Sequence, residues 1–333
     1  MPEPTIKVFR EVDANILHLS QQQVAVLGYG NLGRPVALNL RDSGVQVIIG
    51  NVEDRYADEA RQDRFEVYPI SQAVAQATIF FMAMPDEVMP DIYLRQIAPA
   101  LKAGDMLLFA SGYNIAYEYI EPPVFVDVGL VAPRTLAANI RQAYLTNKGY
   151  PTFIGLHYKA TPTAQDRLLA VALGMGALKR GAIEVSFRHE VELDLFWQQA
   201  ILPALHGLLL MASNLLIQEG YTPESALTEL YLSGELGEFF FQASQQGLVP
   251  TLESMSLTGQ YGVLSRTERF QESKLRAQME SILDAIRRGD FASEWGDEYV
   301  DGYPRLKRIR DKLEQTTLWK TEQKILQLYD RGS

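Results

Sequence analysis

The period of hydrophobic positions changes once along the chain, near its middle. Up to about residue 185 there are short apolar runs: Val24-Ala25-Val26-Leu27, Val45 to Ile49, Ile79 to Met82, Met106 to Phe109 and Phe125 to Val131. They are separated by stretches of helical period, and alternation of this kind predicts a parallel sheet covered by helices on both faces. From Asp194 onward the period is helical almost to the end, over Asp194 to Glu219, Pro223 to Gln246, Thr267 to Arg288 and Pro304 to Tyr329, with Gly-Tyr-Thr-Pro and Arg-Gly-Asp as breaks. The pattern therefore predicts an α/β domain with a doubly wound sheet over residues 1–187 and an all-helical domain over 188–333. No internal repeat or low-complexity segment is evident.

Composition narrows the classes of function. A chain of 333 residues with 47% hydrophobic content buries a sizeable core, so disorder is excluded. A formal net charge of −10, without a basic stripe, argues against a nucleic-acid partner. There is no cysteine, hence no disulfide framework, thiolate nucleophile or thiolate metal site. The start Met1-Pro2-Glu3-Pro4 lacks the build of a signal peptide. No apolar run approaches the roughly 20 residues that span a bilayer. A cytoplasmic protein with no membrane partner is expected.

The strongest local motif is Gly28-Tyr29-Gly30-Asn31-Leu32-Gly33, which follows a strand and opens a helix. Gly28 permits the tight turn, Gly30 lets a pyrophosphate approach the backbone, and Gly33 lets the helix pack close, with helix N–H groups facing the phosphates. That context predicts dinucleotide binding. The next strand ends at Gly50-Asn51-Val52-Glu53-Asp54-Arg55, where Asp54 suits a ribose hydroxyl and Arg55 a 2′-phosphate. Arg34 is a further candidate for phosphate, equally readable as a solvated surface arginine. NAD and NADP both remain open.

These and later motifs carry a resemblance. The run Val24 to Gly30 followed by Ala37-Leu38-Asn39-Leu40-Arg41-Asp42-Ser43-Gly44 closely resembles the opening of the ketol-acid reductoisomerase coenzyme domain. So do Met84-Pro85-Asp86-Glu87, Gly112-Tyr113-Asn114-Ile115, Val131-Ala132-Pro133, Asp194-Leu195-Phe196, Glu219 to Glu224 and Thr258-Gly259-Gln260-Tyr261-Gly262. The matches run in order from Ile6 to beyond Trp295. The resemblance implies a Rossmann-type N-terminal domain, with Pro85 among the coenzyme contacts, and a helical, knotted C-terminal domain. It further implies homodimers whose active sites combine both chains. The family moves an alkyl group on a 2-acetohydroxy acid under magnesium, then reduces the resulting ketone with NADPH.

The resemblance also locates the metal-binding positions, and here the chain departs from its family. A two-magnesium centre needs hard oxygen ligands, mostly carboxylates. The family's first pair is an Asp and a Glu four residues later; here they are Asp194 and Gln198. The second pair, two glutamates from the partner chain, is here Glu229 and Ser233. Both pairs keep the spacing that shares a helix face, but two of four charges are gone. Glu235 and Glu238 lie about 240° and 180° around an unbroken helix from Glu229, so neither replaces the lost acid. The family has a histidine at Ser111, a lysine at Arg134 and Gly-Pro-Gly at Thr135-Leu136-Ala137. Serine does not shuttle protons near neutral pH, and arginine does not deprotonate. Ser256 matches a serine that contacts the substrate carboxylate, and Gln260 stands where Glu is usual.

Asp194, Glu229, Ser111 and Arg134 are thus the catalytic candidates, Gln198, Ser233 and Ser256 the substrate-binding ones, with magnesium at Asp194 and Glu229 weakened. Without the resemblance, Asp194 and Glu229 read as helix-surface acids and both serines as turn residues. His18, His157, His189 and His206 have no metal-ligand spacing. Three functions follow. The first is an NAD(P)H-dependent reductase of a small carbonyl or imine that lacks full two-magnesium isomerisation. The second is a working ketol-acid reductoisomerase in branched-chain amino-acid biosynthesis. The third is a non-catalytic nucleotide-binding homologue.

Overall fold

The computed structural model describes residues 6–270 and 273–330; Met1-Pro2-Glu3-Pro4 and positions 271–272 of the expected Thr267 to Arg288 helix lie outside them. The first half holds nine strands: β1 Val8–Phe9, β2 Gln23–Leu27, β3 Gln46–Gly50, β4 Val67–Tyr68, β5 Ile79–Met82, β6 Met106–Phe109, β7 Asp127–Pro133, β8 Thr152–Tyr158 and β9 Ala182–Glu184. They form one sheet in the order β1-β9-β8-β7-β6-β5-β2-β3-β4. The five predicted runs are β2, β3, β5, β6 and β7. All of β5 and β6 is buried, as continuous apolar runs in a doubly covered sheet should be. Alternate residues of each strand enter opposite cores: Val24, Val26, Ile79, Phe81, Met106 and Leu108 on one face, Ala25, Leu27, Phe80, Met82, Leu107 and Phe109 on the other.

The six strands β4-β3-β2-β5-β6-β7 are parallel throughout. The expectation of a parallel sheet fails beyond β7. β8 runs antiparallel to β7, with Pro133 opposite Thr152, and β1 runs antiparallel to β9. The cause is the short excursion through the helix Ala137–Leu145, which returns the chain to the end of the sheet that it left. β1, β4 and β9 are two or three residues long, too short to show a period.

Helix α1, Gly33–Asp42, follows β2, and α2, Arg55–Gln62, follows β3. Where β2 is flanked by β3 on one side and β5 on the other, the strand order reverses, and the crevice past the strands' C-terminal ends is the expected ligand site.

The chain divides into two compact units between Asp194 and Leu195, inside the helix that opens at Phe187. The second unit is helical, as the period predicts. Its first helix is continuous from Phe187 to Gln218, long and apolar enough to cross a bilayer by composition, and only 11% of its most apolar window is buried. That corrects the expectation that no apolar run approaches this length: Gln198, Gln199 and His206 interrupt the apolar run in sequence without interrupting the helix. Two stretches widen into π-helix, Trp197–Ile201 and Thr228–Leu232. The expected unbroken helix from Pro223 to Gln246 stops at Gly234, which has φ +86°, and restarts as Glu235–Gln246. The helical register therefore breaks between Glu229 and the pair Glu235 and Glu238, so the offsets of an unbroken helix do not apply to them.

Candidate coenzyme and active site

The glycine turn is built as its spacing predicts, each glycine for its own reason. Gly28 has φ +98°, and a Cβ there would sit 2.8 Å from the Ala83 carbonyl oxygen. A Cβ on Gly33 would lie 1.9 Å from the Gly28 oxygen, so only glycine lets α1 start this close to the turn. A Cβ on Gly30 meets nothing within 4 Å, which leaves open space where a pyrophosphate would lie. No side chain caps the N-terminus of α1, where the Arg34 N–H donates to the Gly30 carbonyl at 3.1 Å and Pro35 has no N–H. A cavity of about 590 Å³ runs from this turn along the ends of β3, β5 and β6. Gly28, Tyr29, Gly30, Asn31, Leu32, Asp54, Pro85 and Ser111 line it. These residues fit a nicotinamide dinucleotide.

The charged candidates divide. Asp54 caps α2, accepting from the Tyr56 and Ala57 N–H groups at 2.9 and 3.1 Å. Arg34 turns to Asp63 in a two-pronged ion pair, Nε to Oδ2 at 2.7 Å and Nη2 to Oδ1 at 3.2 Å. The Tyr29 hydroxyl donates to the same carboxylate at 2.8 Å. That hydrogen-bonding, from Arg34 first, holds Asp63 below the usual carboxylate range. Arg55 is exposed and lies over the Tyr56 ring. Asn51, which had no expected role, joins the turn to the β3 end: Oδ1 accepts from the Tyr29 N–H at 3.1 Å and Nδ2 donates to Asp54 at 2.9 Å.

At the far end of the crevice Arg134, just past β7, binds two acids of the helix Phe187–Phe196. Nη1 donates to Glu190 at 2.8 Å, and Nη2 makes a short bond to Asp194. Glu190 also accepts from the Gly112 N–H at 2.6 Å. Glycine is required there, because a Cβ would meet the Phe187 carbonyl oxygen at 2.1 Å. Burial pushes the Glu190 carboxyl up to about 7, against the Gly112 N–H and Arg134, which favour its charged form. Glu190 was legible in principle, four residues before Asp194 on one helix face. Asp86, on the loop after β5, lines the cavity, and burial pushes it up to about 7, with help from Glu87 and Asp194.

The candidates of the second unit do not form a metal centre by themselves. Gln198 and Glu229 are exposed in the π segments Trp197–Ile201 and Thr228–Leu232, a distortion that often marks function in helices. Ser233 accepts from the Glu235 N–H at 3.3 Å. Ser256 caps the helix Leu257–Leu264 through the Gly259 N–H at 3.1 Å. Among the described residues no group of three or more His, Asp or Glu side chains could hold a metal. Asp194 carries the Arg134 guanidinium, and Gln198 and Ser233 offer an amide and a hydroxyl where the family resemblance implies carboxylates.

A parallel six-stranded core, a glycine turn at its switch point and a charged cluster at the same strand ends define an NAD(P)-dependent oxidoreductase. The chain belongs to the ketol-acid reductoisomerase family. Residues 18–181 match the acetohydroxy acid isomeroreductase NADPH-binding domain, and 187–330 the ketol-acid reductoisomerase C-terminal domain. The chain is 38% identical to the putative ketol-acid reductoisomerase 3 of Saccharolobus solfataricus, over 96% of this chain and 97% of that one. It is 36% identical to the ketol-acid reductoisomerase (NADP(+)) of Pyrobaculum calidifontis, over 92% and 93%. The solved structure of an NADH-preferring ketol-acid reductoisomerase from an uncultured archean superposes with TM-score 0.91 at 33% identity, covering 97% of this chain and 99% of that one.

Proposed function

We propose that this chain is an NAD(P)H-dependent reductase of a small carbonyl or imine compound in which Arg134 supplies the positive charge that magnesium supplies in its family. The observation that carries this reading is the single guanidinium shared by Glu190 and Asp194, beside a metal set reduced by Gln198 and Ser233. A coenzyme on the Gly28-Gly30-Gly33 turn supplies the hydride. Arg134 holds the two acids in place, and its fixed charge favours a developing alkoxide at the strand ends. NADH is the better fit of the two coenzymes. Asp54 is at the cavity rim, Arg34 is taken by Asp63, and Arg61 by Glu53 and Asp58.

The helical half supports assembly as a homodimer with shared active sites. Leu208, Met211 and Leu215 are half or more exposed along one helix, which suits a second copy of the chain.

A second reading is a complete ketol-acid reductoisomerase in branched-chain amino-acid biosynthesis, with Asp194 and Glu229 as the remaining metal acids. The names of full-length relatives favour it over the first reading. A chelator separates the two: coenzyme oxidation by 3-hydroxy-3-methyl-2-oxobutanoate, the ketone that follows alkyl migration, is expected to survive excess EDTA. Loss of that activity would favour the second reading.

A further inference from the structure

The reductase reading leaves one requirement unmet. Reduction of a carbonyl consumes a proton as well as a hydride, and neither Ser111 nor Arg134 releases one near neutral pH. We propose that Asp86 is the proton donor: its carboxyl O–H bond breaks as the substrate's O–H bond forms, while hydride from the coenzyme forms the C–H bond. Asp86 is then a carboxylate beside an oxidised, positively charged nicotinamide, and solvent returns its proton. This rests on the reductase reading of the same site.

The geometry singles out this acid. Asp86 lines the coenzyme cavity at the end opposite Asp54, next to Ser111 and Pro85. The charged and titratable groups around it are Glu87 on its own loop, Tyr113 on the helix Tyr113–Ala116, and Glu190 and Asp194 on the helix Phe187–Phe196. Arg134 neutralises the last two, whereas no cationic side chain among the described residues pairs with Asp86. Its carboxyl is held by the Asn114 amide, Nδ2 to Oδ1 at 3.3 Å, and Nδ2 also reaches the Asp86 carbonyl oxygen at 3.1 Å. Asn114 is 1% exposed, and its own Oδ1 is buried without a partner. A buried amide serves both states of the acid, its Nδ2 donating to the carboxylate and, after a flip, its Oδ1 accepting from the acid's O–H. Like-charged neighbours and burial favour the protonated form, as a general acid requires.

The test uses the full-length protein and two readouts. In the first, NAD+ and NADH are titrated calorimetrically from pH 5.5 to 8.5. NAD+ affinity is expected to rise about fivefold as pH passes about 7, because a carboxylate favours the cationic ring, while NADH affinity stays within about twofold. Asp86→Asn should flatten the NAD+ response and keep NADH affinity. In the second, coenzyme oxidation by 3-hydroxy-3-methyl-2-oxobutanoate should show kcat falling above about pH 7, about a hundredfold lower in Asp86→Asn with KM little changed, and partly restored in Asp86→Glu. A wild-type NAD+ affinity that is flat across pH 7 overturns the proposal without any variant. So does an Asp86→Asn enzyme whose kcat stays within threefold of wild type. Absence of binding by either coenzyme at every pH overturns the coenzyme reading and the proton donor together.

Discussion

The two halves of the chain bury their apolar surface differently. In the first, Val24 to Leu27, Ile79 to Met82 and Met106 to Phe109 are at most 1% exposed, and the polar atoms of the glycine turn find partners in the same unit. In the second, Met211 is 66% exposed, Leu257 82% and Phe241 69%. A helix whose most apolar window has mean hydropathy 1.9, with 11% of that window buried, is not a self-sufficient core element. The residues of the glycine turn thus pack within one unit, while the candidates Gln198, Glu229, Ser233 and Ser256 are exposed.

The largest expected effect follows from that contrast. Light scattering at low micromolar concentration is expected to give twice 37.4 kDa or a multiple. Leu208→Glu with Met211→Glu should abolish both the dimer and turnover yet leave coenzyme binding intact. A stable wild-type monomer would break the comparison. Within the first half, Gly33→Ala is expected to cost on the order of 3 kcal/mol in urea unfolding, because its Cβ has no room. Gly30→Val should leave the unfolding midpoint close to wild type while weakening coenzyme binding about a hundredfold, since only the ligand meets that Cβ. Equal effects of the two variants on stability would show the turn to be purely structural.

Arg134→Met should destabilise by about 3 kcal/mol at pH 8, because it strands a buried acid. The cost should shrink below pH 7, since Glu190, already pushed up to about 7 and higher without its partner, then takes a proton. A pH-independent cost would mean that the pair carries little charge energy. The smallest effect is coenzyme choice. NADH should bind about tenfold tighter than NADPH, because Glu53 and Asp54 meet the 2′-phosphate with like charge.

The sheet was legible wherever strands are apolar on both faces, and the glycine turn wherever spacing alone fixes the backbone. β4 and β9 were not, because two or three residues carry no period. The break at Gly234 was missed since a single glycine inside a helical pattern is usually tolerated. Arg34 read as a phosphate ligand because its partner Asp63 lies 29 residues away. Arg134 read as a poor acid, which it is; that it ties Glu190 to Asp194 is a tertiary fact, as is the place of Asp86 in the cavity lining. The metal positions were named through the resemblance, and their altered chemistry through the residue types that stand there.

The central claim is hydride transfer without magnesium-dependent alkyl migration. The direct measurement is coenzyme oxidation with 2-acetolactate across a magnesium series, for the wild type and for the double variant Gln198→Glu, Ser233→Glu. The account predicts no useful wild-type turnover at any magnesium concentration, and a gain in the double variant, because carboxylates bind the ion where an amide and a hydroxyl do not. Wild-type turnover that saturates at millimolar magnesium would contradict it and make this chain a complete isomeroreductase.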